Sequence, residues 1–315
     1  MSLVTRSRTL LAALLPSAVL LAGCGSLGAD EGSEGREVVA AFYPLAWVTE
    51  RVAGGDWIVS NLTAPGGEPH DLELSIDATA RLSDADLVVH LDGFQPAVDD
   101  GIEANASGAV LDAGEVVGLQ PLTDHDAHDH AESEPEDHDD HDHGDLDPHF
   151  WQDPDRMALL AVAVAEELGR LDEAHADDYT ARAEQVVSDL EALDREYAEG
   201  LRDCERDVVV VSHDAFGYLG RYGLHLEPIA GLSPDAEPTP AALADLGDLI
   251  REEGVTRVFS ERLASPAMAE TLASDLGVGT GVLDPIEGLT DQTADEDYLS
   301  LMRANLAALE EANGC

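Results

Sequence analysis

The sequence predicts an α/β fold built as two strand–helix halves with mainly parallel sheets, joined by one long stiff helix. Three observations carry this. Short apolar runs alternate with amphipathic helical patterns, the rhythm of βαβ units. The alternation occurs twice, between Arg36 and Leu111 and again between Asp207 and Ala312. Between the halves, residues 173–201 keep apolar side chains at three- and four-residue spacing, a helix of about 29 residues and roughly 43 Å at 1.5 Å per residue. The chain has 315 residues, 44% of them hydrophobic and mostly Ala, Val and Leu, which is enough core for two ordinary domains.

The chain opens with Arg6 and Arg8 ahead of an apolar run, Leu10 to Leu21, that ends in Leu21-Ala22-Gly23-Cys24. A basic start, a short apolar stretch and small residues before a cut predict a secretory signal over residues 1–23. The run is too short for a comfortable membrane span. Leu-Ala-Gly-Cys resembles the bacterial lipobox, in which cleavage leaves Cys24 as the lipidated first residue. Residues 24–35, low in complexity, then read as a tether, and the protein is expected to be exported and anchored by lipid at the outer face of the cytoplasmic membrane. Where an outer membrane exists, that position is periplasmic.

The first half is expected over residues 36–172. Arg36 to Tyr43 is a short apolar run before Pro44 and reads as a strand; Leu45 to Val52 has helical spacing and stops at Gly54-Gly55. Trp57 to Thr63 reads as a second strand, followed by a loop that contains His70. A helix over 76–82, a strand over 85–91, a helix over 98–104 and a weak strand over 108–111 complete the pattern. Then the texture changes. Residues 124–145 are almost nothing but His, Asp and Glu, with His125, His128, His130, His138, His141 and His143 among them. Without an apolar run to build a core, the segment reads as a disordered, solvated loop. It delivers directly into Asp147-Pro148-His149-Phe150-Trp151, and a helix follows over 156–171. Gly169 and Asp172 mark a break before the linking helix at 173–201.

The second half, residues 202–315, repeats the rhythm. Asp207 to Val211 is a buried-type strand with His213 at its carboxyl end, followed by a helix over 215–222 and a strand over 226–230. Thr239 to Glu253, with Pro240 near its first turn, is a helix. Val255 to Phe259 is a strand ending near Glu261, Pro266 to Leu276 a helix, and Gly279 to Leu283 a strand ending at Asp284-Pro285. Tyr298 to Ala312 closes the chain as a helix.

The formal charge of −50 excludes nucleic-acid binding and adhesion to anionic lipid through charge; such a field draws in cations, and it serves equally as a solubilising acidic surface, so the charge alone does not decide between the two. With Cys24 assigned to lipid, Cys204 and Cys315 remain, in a disulfide-permissive setting. Paired, they clamp the end of the chain to the start of the second half and contribute roughly 4–5 kcal/mol in the chain-entropy model; the alternative is two free thiols.

Open α/β sheets place ligand groups just outside the carboxyl ends of their strands. His70, His149, His213 and Asp284 fit that rule and carry metal-ligand chemistry, two in each half, so a cleft between the halves brings them together. Three neutral imidazoles and a carboxylate match the four-coordination of zinc, and imidazole suits transition metals generally. Glu68 and Glu261 are candidate supporting or substitute oxygens. His90, His175 and His225 read as structural, and Trp47, Trp57 and Trp151 as packing. The His-rich loop is expected to bind several further ions weakly, because it loses conformational entropy on each capture.

The runs PGGEPHDLELS around His70, LDPHFWQDP around His149, SHDAFGYLGRYGL around His213, FSERLASPAMAETLASDLGV after Phe259 and VLDPI at Asp284 are similar to those of the metal-binding lipoproteins of zinc and manganese ABC uptake systems. The similarity runs from Val38 to the C-terminus, in order and with compatible spacing. It implies two small parallel-sheet α/β domains joined by one long rigid helix, with the metal site in the interdomain cleft. It also implies a disulfide in the C-terminal domain, an acidic His-rich loop before the second ligand, and His70, His149, His213 and Asp284 as metal ligands. The manganese branch carries a carboxylate at the third ligand position, and His213 in its place favours zinc. Gln95, where many members have Glu, reads as structural. The implied role is a monomeric carrier that delivers Zn²⁺, as its transported ligand, to an ABC permease and its ATPase, without chemical turnover. The alternatives are carriage of manganese or another divalent metal, and a zinc-dependent hydrolase with Glu261 as base.

Overall fold

Valine-rich runs that are buried on both faces need helices above and below, and the computed structural model, which describes residues 35–122 and 146–315, shows two such sheets. The first half contains β1 (Glu37–Ala40), α1 (Tyr43–Ala53), β2 (Ile58–Asn61), α2 (Ile76–Asp84), β3 (Leu87–His90), α3 (Pro96–Asn105) and β4 (Ala109–Asp112). A short helix, α4 (Ala113–Val117), and a two-residue antiparallel pair, β5 (Gln120–Pro121) with β6 (Leu146–Asp147), follow. The latter three are absent from the sequence reading, being too short to show a period. Next come α5 (Pro154–Leu171) and α6 (Ala176–Gly200). The second half has β7 (Val208–Val211), β8 (His225–Pro228), α7 (Pro240–Glu252), β9 (Arg257–Ser260), α8 (Ala267–Leu276), β10 (Gly279–Val282) and α9 (Tyr298–Asn313). The helix expected over 215–222 is a 3₁₀ helix at Gly217–Tyr222.

The sheet orders are β2-β1-β3-β4 and β10-β9-β7-β8, and every pairing within them is parallel. Read from the other edge, the second order is β8-β7-β9-β10, the same topology as the first, so the chain uses one arrangement twice. Local chemistry sets the helix starts: Ser75, Asp153, Thr239 and Asp297 each accept a backbone N–H of the first turn, and Asp297 with Ser300 forms a capping box.

The linking helix is not a bare spacer. α6 packs along α5 and α1 and meets α9 near its end, burying Tyr179, Ala183, Val186, Leu190, Leu193 and Tyr197. Its amphipathic stripe therefore belongs to one continuous core that runs from Val38 to Ala312, with a smaller cluster (Val208, Val210, Ile229, Ile250 and Val258 among its members) on the other face of the second sheet. Residues 35–315 form one compact unit. A disulfide joins Cys204, just beyond α6, to Cys315. Among the described residues no helix is long and apolar enough to cross a membrane. The signal and tether expected over 1–35, lipidation at Cys24 included, and the loop histidines of 124–145 lie outside the described residues but for Gly35.

Candidate metal centre

Each of the three histidines is braced by neighbouring polar groups, His149 and His213 through a ring nitrogen and His70 through its backbone. His149 follows β6, where Asp147 Oδ1 accepts both its backbone N–H and its Nδ1–H, each at 2.9 Å. Asp147 is held in turn: the Tyr218 hydroxyl donates to its carbonyl at 2.8 Å and accepts the backbone N–H of Gln120. His213, two residues beyond β7, donates Nδ1–H to Glu261 Oε1 at 2.8 Å, and the Ser212 hydroxyl donates to the same oxygen. His70 sits in the loop after β2, where the Glu68 carboxylate accepts the backbone N–H groups of His70 and Asp71 at 3.0 and 3.1 Å. The Gln95 amide donates to the Pro69 carbonyl and to Thr63 Oγ1, which ties this loop to the start of α3. The His70 ring lies edge-on to Phe94.

These braces leave three Nε2 atoms facing one another, with the ring centroids 5.5–5.9 Å apart. Glu287 Oε1 lies among them, 3.5 Å from His70, 3.6 Å from His149 and 3.5 Å from His213. One donor atom from each of the four residues lies within 4.8 Å of all the others. A tetrahedral ion with bonds of about 2.0–2.1 Å sets its ligands roughly 3.3–3.4 Å apart. The Glu287 separations are therefore close to those of a coordination shell and too long for strong hydrogen bonds. His149, His213 and Glu287 are fully buried, and among the described residues the three Nε2 atoms and both Glu287 oxygens have no hydrogen-bond partner. Buried polar atoms without partners are costly, and four converging on one point fit a cation.

Burial lowers the His149 pKa, with the Asp147 carboxylate opposing it. Burial also works against charge on His213, but its hydrogen-bonded and charged neighbours Glu261 and Glu287 outweigh it and push the imidazole up to about 10. Glu287 is fully buried, yet the facing His213 and His70 hold it well below the usual carboxylate range. Glu287 is thus held ionised against the cationic imidazole of His213.

Over residues 38–312 the chain matches the family described as zinc-uptake complex component A, periplasmic. The chain belongs to this zinc-uptake family. Within it, the zinc-binding lipoprotein AdcA of Streptococcus pneumoniae serotype 4 is 35% identical over 302 residues, covering 93% of this chain and 58% of AdcA. The chain thus spans little more than half the length of the AdcA relatives it matches. The high-affinity zinc uptake system protein ZnuA of Bacillus subtilis is 32% identical over 304 residues, 93% of this chain and 94% of ZnuA. Among solved structures, the laminin-binding protein of Streptococcus agalactiae, described as bifunctional with adhesin and metal transporting activity, matches with a TM-score of 0.76 at 29% identity over 88% of this chain and 99% of that one. The Zn(II)-bound ZnuA-like domain of S. pneumoniae AdcA matches with a TM-score of 0.72 at 31% identity, over 89% and 100% of the two chains.

Of the expected quartet, the zinc-uptake family member brings His70, His149 and His213 together and leaves Asp284 aside. The carboxylate in the cluster is Glu287. Asp284 instead pairs through Oδ2 with Arg262 Nε at 3.0 Å and accepts the Ile286 backbone N–H through Oδ1 at 2.9 Å. The strand-end rule picks the first carboxylate after β10, but an aspartate two residues before a free N–H closes its own turn. The readable signal was Asp-Pro followed by a second acid on a longer side chain. Glu261 braces the His213 ring, and Glu68 braces the backbone of the His70 loop, 3.8 Å from His70 Nε2.

Proposed function

We propose that this protein is an exported zinc carrier: it captures one Zn²⁺ on His70, His149, His213 and Glu287 and hands it to an ABC permease driven by its ATPase. The observation that carries this reading is the set of four unpartnered donor atoms around one point. Zinc prefers four-coordination by nitrogen and oxygen, and three imidazoles to one carboxylate is a softer set than the oxygen-preferring manganese takes. Membership of the zinc-uptake family and the zinc-binding relatives support the same cargo.

Four protein ligands fill a tetrahedral shell and leave no open position for a reactive water, which argues against hydrolysis. Glu261, the candidate base, is already engaged by His213 and Ser212. Anchorage through Cys24 keeps the carrier beside the permease, with the two sheets acting as the domains on either side of the ion. Residues 124–145 serve as a weak collecting bed.

Calorimetric titration of the metal-free protein tests the reading. One tight zinc per chain is expected, with manganese far weaker; absence of a tight site, or a preference for manganese, overturns it.

A further inference from the structure

The turn that carries Glu287 is built against its own backbone preference. Ile286 has φ +62°, the one non-glycine residue at positive φ among the described residues. β-Branched side chains avoid this region, and such conformations persist only where the surroundings over-determine them. Here the surroundings do. The Asn305 side chain grips Asp284 twice, accepting its backbone N–H at 2.9 Å and donating to its carbonyl at 2.7 Å. The Asp284 carboxylate accepts the Ile286 N–H while Arg262 holds its other oxygen. Trp151 Nε1 and Gln152 Nε2, from the 3₁₀ turn directly after His149, both donate to the Pro285 carbonyl, at 2.7 and 2.6 Å. Tyr298 donates to the Trp151 carbonyl, closing the link back to α9. Trp151, Gln152 and Ile286 are fully buried, and Asp284 and Asn305 nearly so.

We propose that Trp151, Gln152, Asp284 and Asn305 are positioning residues that form a strut between the His149 turn and the Glu287 turn, locking Ile286 left-handed and so fixing Glu287 against His149 before cargo arrives. The proposal deepens the zinc reading and rests on it for its functional meaning. The two donors occupy both lone pairs of the Pro285 carbonyl. They register two ligands that lie 138 positions apart in sequence (287 − 149). Isoleucine at the pivot fills a core position that glycine would leave empty, and the strut offsets its backbone cost. Asp284 has a role in this device although it is not a member of the donor cluster.

The test is the double variant Trp151→Phe/Gln152→Leu, which removes both donors while keeping ring and bulk, with Ile286→Gly made in each background. Zinc affinity is measured by chelator competition and folding by the melting temperature of the metal-free protein. Loss of the strut is expected to weaken zinc by about 10–100-fold, the range for groups that orient ligands. Ile286→Gly is expected to lower the melting temperature where the strut is intact. In the strutless background it should restore part of the loss, because glycine takes positive φ freely. Unchanged affinity in the folded double variant, or no recovery with glycine, overturns the proposal. Should the double variant not fold, Gln152→Leu alone must show a smaller loss with the same recovery, and its absence overturns the proposal equally. Crystal structures of the metal-free variants separate this from the zinc reading: even if the parent binds no zinc, the strut predicts that Ile286 leaves positive φ when the donors go, and retention of the turn overturns it.

Discussion

The two sheets share one strand order, yet they hold their share of the site differently. In the first half His70 lies on the loop after β2, braced through its backbone by Glu68 and Gln95 and still partly accessible. In the second half His213 and Glu287 are sealed, one with its ring nitrogen on Glu261 and the other on a clamped turn. The clustered residues do not come from equivalent strands either: β2 corresponds to β8, but His213 follows β7 and Glu287 follows β10. A repeated scaffold thus fixes where ligands can be placed, at carboxyl strand ends, and leaves local hydrogen bonds to decide which side chain faces the ion and how rigidly.

The largest expected effect breaks that comparison at Glu287. Glu287→Gln removes the one anionic member of the donor cluster, so zinc affinity should fall by more than the roughly 10–100-fold typical of groups that merely orient ligands. Asp284→Asn should fall only within that range, since the amide oxygen still accepts the Ile286 N–H. Chelator competition on the two variants ranks them; the reverse ranking would return the ligand role to Asp284.

A smaller effect separates two imidazoles within the site. Zinc takes neutral imidazole, so a histidine that is protonated beforehand must release its proton on binding. Burial lowers the His149 pKa below its ordinary value of 6.5, so that ring is neutral at pH 7 and releases nothing. His213 is pushed up to about 10 by Glu261 and Glu287 against the effect of burial, so it enters binding protonated. Apparent affinity should therefore rise by up to about tenfold per pH unit from pH 7 towards 9, one proton per zinc. Calorimetry in buffers of different ionisation enthalpy reads that count directly; zero protons at pH 7 would break the assignment.

Much of this was legible in the sequence because it rests on pattern. Short continuous apolar runs located the strands, period-3.6 spacing located the long helices, and the ligand-type histidines singled out by the strand-end rule are three of the four clustered residues. Asp284 lies outside the cluster although it was expected within it, because strand-end position does not distinguish an acid that reaches into a cleft from one that folds back on its own turn. That outcome is decided by Arg262 and Asn305, 22 residues before and 21 after. The pair β5–β6 was invisible for a similar reason, since two-residue strands have no period and this pair is braced by a distant residue, Tyr218, which donates to the Asp147 carbonyl. The linking helix was found from its spacing, but that its stripe packs on α5 and α1 along its length depends on tertiary contacts.

The two ends of α6 give the sharpest contrast and the smallest effect. Near its C-terminal end the tie is covalent, Cys204 to Cys315, and indifferent to pH across the ordinary range. At its N-terminal end the tie is a hub on Asp172, whose carboxylate accepts from His175 Nδ1 at 2.7 Å and Tyr179 Oη at 2.9 Å and pairs with Arg36, while Trp57 Nε1 donates to the same tyrosine. The hydrogen bond from His175, with help from Tyr179 and Arg36, holds Asp172 down to about 2, and Asp172 in turn raises His175 above its ordinary 6.5. A depressed acid stabilises the fold above its unfolded pKa, near 3.9, and loses that contribution as pH falls through about 2. A raised histidine stabilises below 6.5 and loses its contribution as pH rises through its folded value. The hub is therefore strongest between about pH 4 and 6.5, where both groups are charged. Against His175→Gln, the parent should melt higher near about pH 5, with the advantage shrinking steadily once His175 deprotonates. An advantage that stays constant into the alkaline range would mean that the ring contributes by packing and not by charge.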